Sequence, residues 1–297
     1  MEDLKFWDIL DQRIQNPPIP RLRPSVGYHP SSASIKMINE DGEEELHGTC
    51  LRKIGYERLG YKATEEVPAD AIWKMDIGNS THETIVEWCK KARIYIADEV
   101  EFWDAEHKIS GRVDLFYYHP TRGRIIGAEI KSIADYHGRK GIVFALKGES
   151  IAPKTEHVLQ AAIYLSFFKA QNIHEWKLLY IARDTGERSE FTLHLGEDDE
   201  VLIDGMKSGV KPQMIFDRFK ELDDYLAKKE LPPRDYELQY PMPKLRKMLA
   251  EGTLSKTDSE AVARGKHIKK GDWQCSYCPF KSECWNLNQE PSIEDML

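Results

Sequence analysis

Apolar and polar residues alternate along two neighbouring segments in the middle of the chain, residues 112–118 and 124–131. This alternation predicts two β-strands, and the residues between them, 119–123, contain the Pro and Gly typical of a turn. If the turn is centred between Thr121 and Arg122, the strands form an antiparallel hairpin with one apolar face. The predicted apolar pairs are Val113–Ile130, Leu115–Ala128 and Tyr117–Ile126.

The same register brings two carboxylates together on the opposite face of the hairpin. Asp114 is opposite Glu129, and Lys131 follows two residues later on the same strand face. Opposed side chains lie about 5 Å apart at Cβ, where two like charges destabilise the pair. Carboxylate oxygens are preferred ligands of Mg²⁺ and Mn²⁺, so we infer a metal site in which Lys131 orients a water or stabilises charge on a phosphate. A solvated acidic face with a Glu129–Lys131 ion pair is the alternative.

Helical and strand periodicities continue on both sides of the hairpin. Helices are predicted over 50–59, 78–92, 153–171 and 211–230, and strands over 95–103, 176–183 and 188–195. The helix at 78–92 is expected to begin at Gly78, because Ser80 and Glu83 match a capping box. A short amphipathic helix over 3–15 and a basic loop over 136–150 complete the interpretation. The order of helices and strands indicates an α/β fold with a mixed central sheet flanked by helices.

Two of the predicted helices carry polar side chains that face the hairpin. His82 shares one helix face with Ile85 and Cys89, so it is expected to point inward as a candidate third metal ligand. A lone helical histidine is more often structural, but with two carboxylates it would favour a site that accepts Mn²⁺ as well as Mg²⁺. On the helix at 153–171, the polar stripe comprises His157, Gln160 and Tyr164. This stripe is either a solvated face or a set that leans over the metal toward a phosphate or a base.

Composition bounds the class of protein. The 297 residues are 41% hydrophobic and 31% charged, which is typical of a soluble globular protein. The sequence has no long apolar run and no signal-peptide pattern, so we expect a cytoplasmic protein that does not enter a membrane. The net charge of −8 excludes a global basic surface, so any nucleic acid must bind in a local groove.

The cysteines have the spacing of metal ligands. Cys275, Cys278 and Cys284 form a Cys-x₂-Cys-x₅-Cys motif, and five cysteines in a chain without a leader more often hold metal than form disulfides. Cys50 is preferred over Cys89 as the fourth ligand, because Cys89 lies on the apolar face of its helix. Four thiolates suit zinc or an iron–sulfur cluster on ligand type, and the spacing alone favours zinc.

Aromatic residues interleave with the C-terminal cysteines, namely Trp273, Tyr277, Phe280 and Trp285. Their commonest role at such a site is to shield the metal from water. The alternative is a stacking platform for single-stranded bases.

These motifs together resemble the RecB-like branch of the PD-(D/E)XK nuclease superfamily. The shared pattern, in chain order, is Gly78-x₃-His82, Gly111-x₂-Asp114, Glu129-x-Lys131 and Gln160-x₃-Tyr164. One upstream cysteine and the C-terminal cysteine motif make the sequence similar to the iron–sulfur members of that branch: the CRISPR-associated RecB-like exonucleases, the AddB nuclease domain and their phage relatives. The resemblance covers about residues 45–286, which is most of the chain, and Leu51 follows Cys50 where the family would have Pro.

The resemblance implies a role for each matching residue. His82, Asp114, Glu129 and the carbonyl of Ile130 would bind Mg²⁺ or Mn²⁺. Lys131 would position the attacking water, while Gln160 and Tyr164 would complete the site. Cys50, Cys275, Cys278 and Cys284 would hold a [4Fe–4S] cluster, which replaces the preference for zinc.

The resemblance also implies the activity, the partners and the domain organisation. We expect a restriction-endonuclease-like core with a C-terminal iron–sulfur segment and 5′-to-3′ exonuclease action on single-stranded DNA in a prokaryotic or phage-infected cell. Protein partners would come from recombination, repair or CRISPR adaptation. The expected boundaries are an N-terminal arm over 1–44, a nuclease domain over 45–286 and an acidic tail over 287–297. The alternatives are a non-catalytic DNA-binding scaffold on the same fold and a zinc-stabilised endonuclease.

Overall fold

The computed structural model describes residues 27–39, 42–65, 68–134 and 151–287. The chain divides into two compact units. The first comprises Met1–Thr49 and Val67–Asp224, and the second comprises Cys50–Glu66 and Tyr225–Leu297. The predicted helix over 3–15, the loop over 136–150 and all of the predicted acidic tail except Leu287 lie outside the described residues.

The first unit is built on a mixed seven-stranded sheet that is flanked by helices. Its strands and helices are β1 (Ser34–Ile38), β2 (Glu44–Gly48), α2 (Ala69–Lys91), β3 (Tyr95–Asp104), β4 (Ile109–His119), β5 (Arg124–Ile133), α3 (Thr155–Phe168), β6 (Trp176–Ala182), β7 (Arg188–Leu195), β8 (Val201–Ile203), β9 (Met206–Lys207) and most of α4 (Pro212–Ala227), whose last three residues belong to the second unit. The sheet has the order β3-β4-β5-β6-β7-β8-β9, while β1 and β2 form a separate ribbon. Among the strand pairs of this sheet in the described residues, β5–β6 is parallel and the other pairs are antiparallel. The α/β class with a mixed central sheet is therefore confirmed.

The later part of the predicted N-terminal arm packs within the first unit. Tyr28 is buried, its ring stacks on Phe219 with centroids 4.3 Å apart, and its hydroxyl donates to the Asp223 carboxylate at 2.6 Å. Tyr28 also forms an isolated bridge to Ile109 at the start of β4. Residues 27–39 are thus anchored to the same unit as the hairpin.

The predicted hairpin register is confirmed near the turn and ends before the acidic pair. The backbone ladder between β4 and β5 runs from His119–Arg124 to Leu115–Ala128. The predicted pairs Val113–Ile130 and Asp114–Glu129 are not part of that ladder. The physical reason is local, since the Ile130 amide donates to the Asp114 carboxylate at 2.7 Å instead of to a backbone carbonyl. The two strands therefore separate where the acids lie.

The predicted start of the helix before β3 is wrong. Helix α2 begins at Ala69, so Gly78, Ser80 and Glu83 lie in its interior. The residues before Gly78 are mostly good helix formers, and Asp70 in the first turn pairs with Lys74 at 2.7 Å. A single glycine costs a helix only about 1 kcal/mol, so the helix continues through Gly78.

Helices cover both faces of the hairpin. On one face Val86, with Ile85 and Cys89, packs against Leu115, Ala128 and Ile130, which fits the predicted inward face of this helix. On the other face, Tyr164 and Phe168 of α3 contact the Trp176 ring. Gly127 is required there, because a Cβ at this position would lie 2.3 Å from the Trp176 ring. Polar groups on the second face are consequently buried rather than solvated.

The second unit is helical and holds the cysteine motif. Its helices are α1 (Leu51–Arg58), α5 (Met242–Ala250), α6 (Lys256–Ala263), α7 (Trp273–Ser276) and α8 (Lys281–Cys284). Leu245, Leu254 and Val262 form a small core in this unit. None of the described helices is long and apolar enough to cross a membrane.

Candidate metal centre

Three acidic residues lie on three adjacent strands of the first unit. Asp114 is on β4 and Glu129 is on the neighbouring β5. On the other side of β4, the pairs Asp98–Leu115 and Val100–Val113 put Glu99 of β3 across from Asp114. Sequence reasoning missed Glu99, although extending the register argument from the hairpin to the preceding strand would have identified it.

His82 joins this group from helix α2. Its Nδ1 lies 3.7 Å from Oδ1 of Asp114. Among the described residues, one ligand atom from each of His82, Glu99 and Asp114 lies within 4.8 Å of the other two. That spacing allows one cation to contact all three side chains.

Glu129 is the deepest of the acids and lacks a partner for one oxygen. Its side chain is 2% exposed, and its Oε1 accepts hydrogen bonds from Lys131 Nζ at 2.6 Å and Gln160 Nε2 at 2.7 Å. Its Oε2 is buried without a hydrogen-bond partner among the described residues. An unsatisfied buried carboxylate oxygen is costly to the fold, so its presence fits a site that a cation completes.

Burial shifts the proton affinities of these groups. Desolvation raises the pKa of Asp114 to about 6, against the lowering effect of the Ile130 amide. Desolvation also raises the pKa of Glu129 to about 7, and the nearby Asp114 adds to the rise, while Lys131 opposes it. Burial lowers the pKa of His82, although the Glu129 carboxylate and a hydrogen bond to the Ile130 backbone oppose that change. At neutral pH His82 is therefore neutral, the form that binds metals.

Gln160 links the predicted catalytic residues into one network. Its Oε1 accepts from Lys131 at 2.9 Å, and its Nε2 donates to the Tyr164 hydroxyl at 3.0 Å as well as to Glu129. The Tyr164 hydroxyl in turn donates to the Arg112 carbonyl at 3.2 Å. Tyr164 is 1% exposed, so it positions Gln160 rather than contacting a substrate.

His157 lies outside this network and contacts Tyr180 of β6 instead. Its Nδ1 lies 2.7 Å from the Tyr180 hydroxyl, and burial lowers the pKa of this imidazole to about 2. The predicted polar stripe on α3 therefore divides, with Gln160 and Tyr164 in the acidic site and His157 against β6.

The four predicted cysteine ligands line one cavity of the second unit, together with Lys53, Arg234 and Trp285. All are free thiols, and Cys89 lies in the first unit. Burial raises the pKa of Cys50 to about 11 and that of Cys275 to about 12. A tetrahedral zinc site would hold its sulfurs about 3.8 Å apart, but no three of the described cysteine sulfurs lie within 4.8 Å of one another.

The aromatic residues of the cysteine motif differ in exposure. Phe280 is buried and stacks on Tyr56 with ring centroids 5.1 Å apart. The Arg234 guanidinium lies 4.3 Å from the centroid of the Trp285 ring. Trp273 and Tyr277 are largely exposed. The burial of Phe280 fits the predicted role of shielding the cysteines from water. The stacking of single-stranded bases on the exposed Trp273 and Tyr277 stays a prediction.

Comparison with known proteins assigns neither a family nor a function to this chain. No protein-family model matches the sequence, and no curated protein matches it significantly. The chain is similar to a crystal structure of SSO0001, with 15% identity and a TM-score of 0.43 over 95% of this chain and 96% of that one. This similarity is too weak to assign a fold or a function.

Proposed function

We propose that this protein is a divalent-cation-dependent deoxyribonuclease with a RecB-like PD-(D/E)XK core. The observation that carries the proposal is the buried, unpartnered Oε2 of Glu129 beside Asp114, His82 and Lys131. The order of motifs along the sequence supports the same assignment, and hydrogen bonds link four of the matching residues, Glu129, Lys131, Gln160 and Tyr164.

Each residue of the site has a distinct task. His82, Asp114, Glu129 and the Ile130 carbonyl would hold Mg²⁺ or Mn²⁺, which suit this mixture of oxygen and imidazole ligands. The cation would supply Lewis-acid polarisation of a phosphate oxygen and would lower the pKa of a bound water. Lys131 is held by Glu129 and Gln160, so its ammonium is fixed in direction for orienting the water and stabilising negative charge on the phosphate.

The proposal includes a structural [4Fe–4S] cluster held by Cys50, Cys275, Cys278 and Cys284. The support is that the four cysteines of the motif are free thiols that line one cavity, together with the spacing of these cysteines along the sequence. In this proposal the cluster ties α1 to α7 and α8. It has no part in hydrolysis.

The non-catalytic scaffold is disfavoured on energetic grounds. A buried carboxylate with one unpartnered oxygen destabilises a protein, and a scaffold gains nothing in return. The retained Glu129–Lys131–Gln160 network therefore favours an enzyme.

The test is cleavage of labelled single-stranded DNA, both linear and circular, by the full chain with Mg²⁺ or Mn²⁺. We expect loss of the linear strand, no cleavage in EDTA, and no cleavage by Asp114→Ala. Cutting of circles would instead indicate an endonuclease. Absence of cleavage with either cation, or full cleavage by Asp114→Ala, would contradict the proposal.

A further inference from the structure

The backbone of Glu99 has an unusual conformation for a strand. Its φ is +52°, in the left-handed region that a side chain with a Cβ rarely adopts. Of the non-glycine residues with positive φ in the described part of the chain, Glu99 is the one that lies inside a strand. Such conformations concentrate at functional sites, where the surrounding structure maintains them.

The strained residue faces the metal-binding group directly. Glu99 lies across from Asp114 in the β3–β4 register, and its carboxylate is within 4.8 Å of ligand atoms of both His82 and Asp114. A second observation is the buried Glu129 on the neighbouring strand β5, whose Oε2 accepts no hydrogen bond from any described residue. A cation is the kind of ligand that such an oxygen accepts.

Arg112 currently neutralises Glu99. Its Nε lies 2.5 Å from Glu99 Oε2, and the Arg112 side chain is 61% exposed. An exposed ion pair contributes little to stability, so this pair does not by itself account for the strained backbone. The guanidinium and a cation would compete for the same carboxylate.

We propose that Glu99 is a ligand of the divalent cation, together with His82 and Asp114, and that Arg112 holds this carboxylate until the cation displaces it. The inference rests on the proposed function, since it assigns a further ligand to the same cation. It predicts that substitution of Glu99 weakens cation binding and that substitution of Arg112 strengthens it. If the salt bridge were purely structural, the two substitutions would change cation binding in the same direction.

The experiment measures Mn²⁺ affinity of the full chain by electron paramagnetic resonance of the free ion. Glu99→Gln should weaken binding by about ten-fold or more, whereas Arg112→Gln should tighten it by about three-fold because a competing positive charge is removed. The matched control is Glu197→Gln, an exposed acid of the same unit outside this site, which should leave the affinity unchanged. Asp114→Asn serves as the positive control and should abolish binding.

Thermal unfolding in EDTA gives a second readout. Glu99→Gly removes the carboxylate and permits the positive φ, so it should weaken Mn²⁺ binding and still raise the unfolding midpoint by about 2 °C.

The outcomes separate this inference from the proposed function. Normal Mn²⁺ binding by Glu99→Gln, with binding lost in Asp114→Asn, would overturn the role of Glu99 alone. Equal weakening by Glu99→Gln and Arg112→Gln would also overturn it, because the pair would then be structural. A wild-type chain that binds no Mn²⁺ would overturn the proposed function and this inference together.

Discussion

The acidic site of the first unit and the cysteine cavity of the second are both built from acids whose pKa burial raises. The carboxylates of Asp114 and Glu129 reach about 6 and about 7, whereas the thiols of Cys50 and Cys275 reach about 11 and about 12. A metal ligand must lose its proton, and each pKa unit above ambient pH costs about 1.4 kcal/mol. The carboxylates therefore lose their protons near neutral pH, whereas the thiols lose theirs only at a larger free-energy cost that metal binding would have to offset.

The two sites also differ in how the chain assembles them. Glu99, Asp114 and Glu129 lie on consecutive strands of one sheet, so the sheet itself positions all three acids even though the β4–β5 ladder ends before Asp114. The cysteine cavity joins Cys50 to Cys275 and Cys284 on one-turn helices. Such short helices are not stable alone, so we expect the stability of the second unit to depend on the proposed cluster more than the stability of the first unit depends on the proposed cation.

The largest expected effect is that of Glu129→Gln on activity. Cleavage should fall by about 10³-fold, since a ligand and the partner of Lys131 are both weakened. The metal-free protein should become more stable at pH 8, by on the order of 1–3 kcal/mol. The sign follows from the pKa of Glu129, which is about 7 in the folded protein and lower in the unfolded chain. As the pH rises through these two pKa values, the folded protein loses stability, because it must bury a charged carboxylate. Glutamine carries no charge and avoids this loss.

Urea unfolding and strand cleavage measure these two effects. Glu197→Gln is the control and should change neither. A Glu129→Gln variant that is inactive and also less stable in EDTA would show that Glu129 supports the fold rather than a cation.

The next effect concerns the second unit. Cys278→Ala should remove the visible absorbance of an iron–sulfur cluster and lower stability by several kcal/mol, because the binding energy of a structural metal contributes to folding. Cys89→Ala is the matched control, since Cys89 packs in the hydrophobic core of the first unit. It should keep the absorbance and the iron content.

Iron and zinc are counted in both cysteine variants after anaerobic purification. A colourless Cys278→Ala that stays stable and active would remove the structural role of the cysteines. Zinc in place of iron in the wild-type chain would restore the zinc alternative.

A smaller effect is expected from Gln160→Ala. This change leaves Lys131 and Glu129 without their shared amide, so cleavage should fall by about 10–100-fold. Tyr164→Phe keeps the ring stacked on Trp176 and loses only the hydroxyl, so its effect should be under about ten-fold. Single-turnover cleavage compares the two. If Tyr164→Phe were as inactive as Glu129→Gln, Tyr164 would act at the reacting atoms.

The smallest expected effect concerns pH and His157. Burial lowers the pKa of this imidazole to about 2, so below about pH 6.5 the unfolded chain takes up a proton that the folded chain does not. Stability should therefore fall as pH decreases from 6.5 to 5, by up to about 2 kcal/mol more in the wild type than in His157→Gln. Urea midpoints at pH 7.5 and pH 5 measure the difference. Parallel curves for the two proteins would contradict it.

The sequence predicted the elements that depend on regular periodicity. The hairpin turn, the strands at 95–103, 176–183 and 188–195, and the inward face of α2 follow from alternation and helical spacing, and the structure has them. The start of α2 was not predictable from the capping pattern, because helix formers before Gly78 outweigh that signal.

The site was predictable as far as the hairpin register extended. His82, Asp114, Glu129, Lys131, Gln160 and Tyr164 come together in the structure. Glu99 was missed because the predicted register stopped at the hairpin, whereas the position of Glu99 follows from the pairing of β3 with β4; its left-handed backbone has no signal in the alternating pattern. The separation of β4 and β5 at Asp114 was also missed. It arises because the Asp114 carboxylate, rather than a backbone carbonyl, accepts the hydrogen bond of the Ile130 amide.

The most direct test of the central claim is anomalous scattering from crystals of the full chain soaked in Mn²⁺. We expect a manganese peak within about 2.5 Å of carboxylate oxygens of Asp114 and Glu129, with His82 at coordinating distance. A well-occupied manganese elsewhere, with the carboxylates of Asp114 and Glu129 making no contact with it, would contradict the account.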